Sequence, residues 1–103
     1  MVRELIYFDV ELGGGTEDFM AAFRKVKEAM EAIGVVVGRT WSPMTGDGRT
    51  VILEREFESL AAYERDDEKF HDADDFMLLW REMEATLKGM RVEVWQGRPS
   101  TAP

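Results

Sequence analysis

The sequence predicts an α+β fold of order β-α-β-β-α-β, an antiparallel four-stranded sheet with two helices on one face. Three observations in this 103-residue chain carry that prediction. Short runs rich in aromatic and branched residues alternate with longer runs of helical periodicity. Two of the strand-like runs, residues 35–41 and 49–57, are joined by the turn-rich SPMTGDG of residues 42–48, which makes them a long hairpin. The stretch VILEREFESLAAYERDDEKFHDADDFMLLW, residues 51–80, takes a strand almost directly into a Ser-capped helix that breaks at an acidic segment and resumes.

The elements follow in order. Residues 4–12 read as the first strand, with Ile6, Phe8 and Val10 on one face and Leu5, Tyr7 and Asp9 on the other. Gly13, Gly14 and Gly15 end it. Thr16 is an N-cap candidate, with Glu17 and Asp18 placed to suit the helix dipole. Phe19, Phe23, Val26, Met30 and Ile33 then recur at helical spacing, and Gly34 stands at the C-terminal stop. The glycines could cradle a phosphate at a helix N-terminus. No G-x-G-x-x-G or P-loop pattern follows, however, and two acids stand where an anion would sit, so a plain turn is the better reading. Ser59 caps the second helix, whose apolar stripe is Leu60, Tyr63 and Phe70 with Asp67 interrupting it. Asp72 or Asp74 in the DADD segment is expected to re-cap the chain. Phe76, Leu79, Trp80, Met83 and Leu87 continue the stripe to Lys88 and Gly89, and residues 90–96 form the fourth strand. Residues 1–96 therefore read as a single domain, and residues 97–103, GRPSTAP, as a disordered tail.

Composition narrows the partners. Twenty-one acids against thirteen Lys and Arg give a formal net charge of −8, the wrong sign for nucleic acid or an anionic membrane surface. There is no cysteine, hence no disulfide or zinc-thiolate site. The first residues, MVRELIYFDVEL, lack the long apolar run of a signal peptide, and no run is long enough to span a membrane, so a cytoplasmic location is expected. No cofactor loop or metal set is recognisable, and neither a cofactor nor a metal is expected.

The two sheet faces differ. One is apolar, with Ile6, Phe8, Val10, Val36, Val51, Leu53, Phe57, Val92 and Val94, and Arg55 as an exception. The other carries Leu5, Tyr7, Asp9, Val35, Val37, Arg39, Trp41, Ile52, Glu54, Glu56, Arg91, Glu93 and Trp95. That is a large apolar patch to leave in water. Burying it against a second copy predicts a homodimer whose interface includes Tyr7, Arg39, Trp41, Glu54, Arg91 and Trp95. Asp9, Glu54, Glu56 and Glu93 could gather a cation there, but pairing with Arg39 and Arg91 is the better reading.

Against this background a family resemblance becomes visible. FESLAAYERDDEKF followed by DADDFMLLWREM resembles the second-helix region of dimeric α+β barrel proteins of ferredoxin-like fold, above all NIPSNAP-like and antibiotic-biosynthesis-monooxygenase-like members. In those families a strand enters an SL..YE segment, and an acidic break and an aromatic residue follow. The matching residues are Phe57, Ser59, Leu60, Tyr63, Glu64, Asp74, Phe76 and Trp80. The motif match covers residues 56–80, and the order of elements matches over residues 3–96. The resemblance implies a sheet-to-sheet dimer closing into a barrel. It leaves function open, since the superfamily includes cofactor-free monooxygenases, haem-degrading enzymes and isomerases.

The candidate chemistry is sparse. His71 is the only histidine, with Asp67 and Asp75 four residues to either side, and a solvated helix face is its simplest reading. Asp67 lies on the phase of Leu60, Tyr63 and Phe70, where it would line a pocket between helix and sheet, although a slight rotation of the helix that leaves it at the edge is the simpler reading. His71 and Asp67 are therefore the candidate catalytic pair, and Tyr63, Phe70, Phe76, Trp80 and Phe23 the candidate ligand-binding residues. Three functions follow. The first is binding of a small apolar or aromatic molecule, with cofactor-independent monooxygenase-like or isomerase-like chemistry. The second is a non-catalytic dimeric binding module. The third is haem binding, which the resemblance raises, although the strand-1 asparagine and helix tryptophan of the haem-degrading subgroup have no match here.

Overall fold

Alternation along the first strand determines where the core lies. In β1, Val2–Val10, the even-numbered side chains Val2, Glu4, Ile6, Phe8 and Val10 are all buried. A computed structural model describes residues 1–11, 14–43 and 48–97. β3, Thr50–Phe57, runs antiparallel to β1 with Phe8 opposite Val51 and Ile6 opposite Leu53. β4, Leu87–Gln96, flanks the other side of β1, and the short β2, Arg39–Trp41, pairs with β3. The sheet order is β2-β3-β1-β4, antiparallel throughout.

Helix α1, Gly14–Ile33, lays Phe19, Phe23, Val26 and Met30 on this face, all fully buried. The Phe8 ring lies 5.2 Å from Phe19 and 5.3 Å from Phe23. Burying side chains of this size stabilises the fold by about 1.5–3 kcal/mol each. The helix starts before Thr16, whose hydroxyl donates to the Glu11 carbonyl instead of capping. It stops at Gly34, at φ 79°, where Gly34 N–H donates to the Glu31 carbonyl and Val35 N–H to that of Met30.

The stretch expected as the whole second strand is mostly not strand. Val35 turns into the core, contrary to its expected place on the open face, and Val36 is exposed instead of buried. Gly38, at φ 78°, passes so close to the Glu54 carbonyl that a Cβ would collide with it. Only after that contact does the chain join the edge of β3.

The second helical segment divides into α2, Leu60–His71, and α3, Asp74–Glu84. Ser59 caps α2 as expected, its Oγ accepting the Ala62 N–H at 3.1 Å. Neither Asp72 nor Asp74 re-caps the chain. Asp72 closes α2, and Ala73 stands at the N-cap of α3 without a side-chain bond. The break brings Phe76 back against Phe70, with ring centroids 4.7 Å apart. α3 stops at Glu84, where the Thr86 N–H and hydroxyl both donate to the Met83 carbonyl, so Leu87 opens β4 and does not extend the helical stripe.

By register, Val92 and Val94 share the face of Ile6 and Glu4. The sequence places them under the helices, but each is 48% exposed: α3 covers the start of β4, where Leu87 packs on the core, and leaves its later part bare. Leu12, the tip of the hairpin turn and the 98–103 tail lie outside the described residues.

Candidate functional site

Two charged residues stand on the apolar face of the sheet, and they are direct cross-strand partners: Glu4 on β1 and Arg55 on β3. Arg55 Nε donates to Glu4 Oε1 at 2.7 Å, and Nη1 donates to Asp66 Oδ1 at 2.8 Å and to the Val36 carbonyl at 3.1 Å. Asp66, from α2, also accepts the Val36 N–H at 3.0 Å. Arg55 and Asp66 thus hold both polar groups of the Val36 peptide, which explains why this segment needs no strand partner. The Tyr63 hydroxyl donates to Glu4 Oε2 at 2.6 Å. Burial, and next this bond to Glu4, push the Tyr63 phenol well above its ordinary value. The guanidinium carbon lies 5.1 Å from the Phe57 ring and 5.2 Å from the Phe70 ring, which fixes its plane.

A cavity of about 140 Å³ lies over this cluster. Ile6, Met30, Phe70, Phe76, Met77 and Trp80 wall it, Glu4 and Arg55 form its polar floor, and Asp67 lines its exposed side. This volume is close to that of apolar cavities that take up a benzene ring.

Of the residues expected here, Phe70, Phe76 and Trp80 line the cavity, and Asp67 stands at its open edge. Tyr63 stands behind it, bonded to Glu4. Phe23 packs against both Phe8 and Phe19 in the core and is not among the residues that line the cavity. Asp67 does not face the sheet. Its side chain is 51% exposed and lies 3.4 Å from Nε2 of His71, itself on the outer surface. The helix is turned so that Asp66 points inward and Leu60 outward, because the guanidinium on β3 needs a carboxylate there. Sequence reasoning missed Asp66 and Glu4. The signal was present as two opposite charges breaking the apolar alternation of two strands, Glu4 among Val2, Ile6 and Phe8, and Arg55 among Leu53 and Phe57. Among the described residues, no three His, Cys, Asp or Glu side chains group as a metal set, and no helix is long and apolar enough to cross a membrane.

The opposite sheet face carries all six residues expected at an interface. Trp41 pairs with Ile52 and Ile52 with Tyr7, which lies opposite Arg91. The Arg91 guanidinium lies 4.2 Å from the Tyr7 ring, and Trp41 Nε1 donates to Glu54 at 2.8 Å. Glu93 pairs with Arg91 as expected, at 4.0 Å, whereas Glu54 and Glu56 pair with Arg3, which that expectation omitted. Arg39 instead lies over the Trp41 ring.

No protein-family model and no curated protein matches the chain. Solved structures do. A NIPSNAP domain protein from Burkholderia xenovorans superposes with a TM-score of 0.78 at 11% identity, over 100% of this chain and 99% of that one. A NIPSNAP family protein from Agrobacterium tumefaciens gives 0.73 at 14% identity, over 94% and 85%. A putative antibiotic biosynthesis monooxygenase from Nitrosomonas europaea gives 0.66 at 17% identity, over 94% and 98%. The fold is ferredoxin-like α+β. NIPSNAP and antibiotic-biosynthesis-monooxygenase structures share it, as the resemblance over residues 56–80 implied. Identities this low establish the fold and leave activity to the site.

Proposed function

We propose that this protein binds a small apolar or aromatic molecule in the cavity between α2, α3 and the sheet, and works as a homodimer joined through its open sheet face. The cavity carries the proposal: about 140 Å³, walled by Phe70, Phe76, Trp80 and three aliphatic or thioether side chains over a polar floor. Such a lining holds one ring by dispersion and burial. The naming of one structural neighbour as a putative monooxygenase supports cofactor-independent oxygenation as the finer reading. A plain binding role is favoured by a separate observation. Glu4 and Asp66 both have each carboxylate oxygen engaged within the protein, which leaves neither poised to take a proton from a ligand. The haem reading gains no support, because the cavity has room for one ring and His71 is not among its lining residues.

The chain has three tryptophans, and Trp80 lines the cavity. In a W41F/W95F background, titration with toluene is expected to change Trp80 emission saturably. A flat response at solubility-limited toluene refutes the binding site. Ring-dependent oxygen uptake would add catalysis to binding.

A further inference from the structure

The guanidinium at the cavity floor is spent on two of its three nitrogens. Nε serves Glu4, and Nη1 serves Asp66 and the Val36 carbonyl. Nη2 has no hydrogen-bond partner among the described residues. Yet no sealed side-chain nitrogen or oxygen there lacks a partner, so Nη2 is open although Arg55 as a whole is only 2% exposed. Arg55 lines the cavity. We infer that the cavity selects a neutral ring compound bearing one acceptor oxygen, of the ketone or aldehyde class, which Nη2 of Arg55 receives. This rests on the small-molecule reading of the same cavity and adds the ligand's chemistry to it.

Two features exclude a carboxylate. Fork-to-fork pairing needs two parallel N–H groups from one edge of the guanidinium, and each edge already has one nitrogen committed to Glu4 or Asp66. Two carboxylates around one guanidinium also leave the cluster one negative charge in excess, so a third carboxylate entering this low-dielectric space is repelled. An ammonium group would balance that charge, but it carries donors alone and would leave Nη2 of Arg55 without an acceptor beside a second cation. A single uncharged acceptor meets Nη2 without adding charge, while its ring lies among Phe70, Phe76 and Trp80. The rings of Phe57 and Phe70 on the guanidinium hold Nη2 in one direction, so the bond needs little reorganisation.

The test is calorimetric titration of the full chain with four single-ring probes of similar size: acetophenone, ethylbenzene, benzoate and benzylammonium. Acetophenone is expected to bind about tenfold or more tighter than ethylbenzene, the scale of a hydrogen bond to a charged donor, and tighter than either ion. In R55K, which keeps a cation between Glu4 and Asp66 but removes Nη2, that preference is expected to vanish while ethylbenzene still binds. If R55K fails to fold, the ranking in the unaltered protein decides alone. Equal binding of acetophenone and ethylbenzene overturns the inference and leaves the apolar pocket standing. Tightest binding by benzoate or benzylammonium overturns it as well. Binding of none of the four overturns both the inference and the small-molecule reading.

Discussion

Arg55 lies between two carboxylates with its side chain 3% exposed, and the energetics of that position can be tested. Removing one member of a buried ion cluster strands the others, at a cost of about 3–5 kcal/mol, whereas replacing the whole cluster with apolar groups is often neutral. R55M is therefore expected to lose about 3–5 kcal/mol in urea unfolding, and the triple variant E4L/R55M/D66L to recover only part of it, because the Val36 N–H and carbonyl and the Tyr63 hydroxyl lose their partners. Tyr63 offers a milder test. Y63F removes the bond to Glu4 and is expected to cost about 1–2 kcal/mol. Its phenol is raised in the folded state, so the unfolded chain gives up that proton first as pH rises. The contribution is complete below about pH 10, the ordinary tyrosine value, and declines above it. Tyr7 is raised too, by hydrogen bonding to Glu93 before burial, and acts in the same direction. Thermal melts from pH 8 to 11 should show a smaller alkaline loss in Y63F.

Among the elements, α2 and α3 differ in how they begin. Ser59 accepts a backbone N–H at the start of α2, but Ala73 gives α3 no such bond. S59A is expected to cost about 1 kcal/mol, and A73S to add about 0.5–1 kcal/mol where its oxygen reaches the N–H groups of the first turn. Both are read from urea midpoints. The asymmetry shows how far local signals reach. Ser59 was legible because capping is local, and so was the acidic break, because aspartate is a poor helix-interior residue. Which residue would follow the break as a cap was not legible. The packing of Phe76 on Phe70 decides it, and that contact depends on the angle between two helices.

For the whole molecule, the open sheet face poses the largest question. Trp41 is 50% and Trp95 59% exposed there, beside Tyr7, Leu5 and Ile52. Each half-exposed tryptophan has roughly 100–150 Å² left to bury, so the two rings can form the apolar centre of an interface whose roughly 800 Å² per partner needs the surrounding charged side chains as its rim. Light scattering after size exclusion is expected to give twice the 11.8 kDa chain mass. A W41K/W95K variant is expected to run as a monomer with its near-ultraviolet signal from Trp80 retained. A monomeric parent protein would remove the dimer from the proposal and leave the cavity untouched, since its lining comes from one chain. The bare strip of Val92 and Val94 on β4 was not legible in the sequence. Alternation assigns a residue to a face, but how far the helices extend across that face is set by their packing on β1 and β3.

By itself the sequence determined the order of elements, the antiparallel hairpin, the apolar stripe of α1 with its stop at Gly34, and the resemblance to ferredoxin-like proteins. These depend on periods, caps and turn residues that act over a few neighbours. Only the tertiary structure decided the floor of the site. Glu4 and Arg55 are 51 residues apart in the chain and Arg55 and Asp66 are 11 apart, so their meeting depends on strand register and on the rotation of α2. One step of that rotation exchanges Asp67 for Asp66. The helical phase of a short, charge-rich segment is too weak to make that choice, and a buried guanidinium lacking a carboxylate is costly enough to impose it.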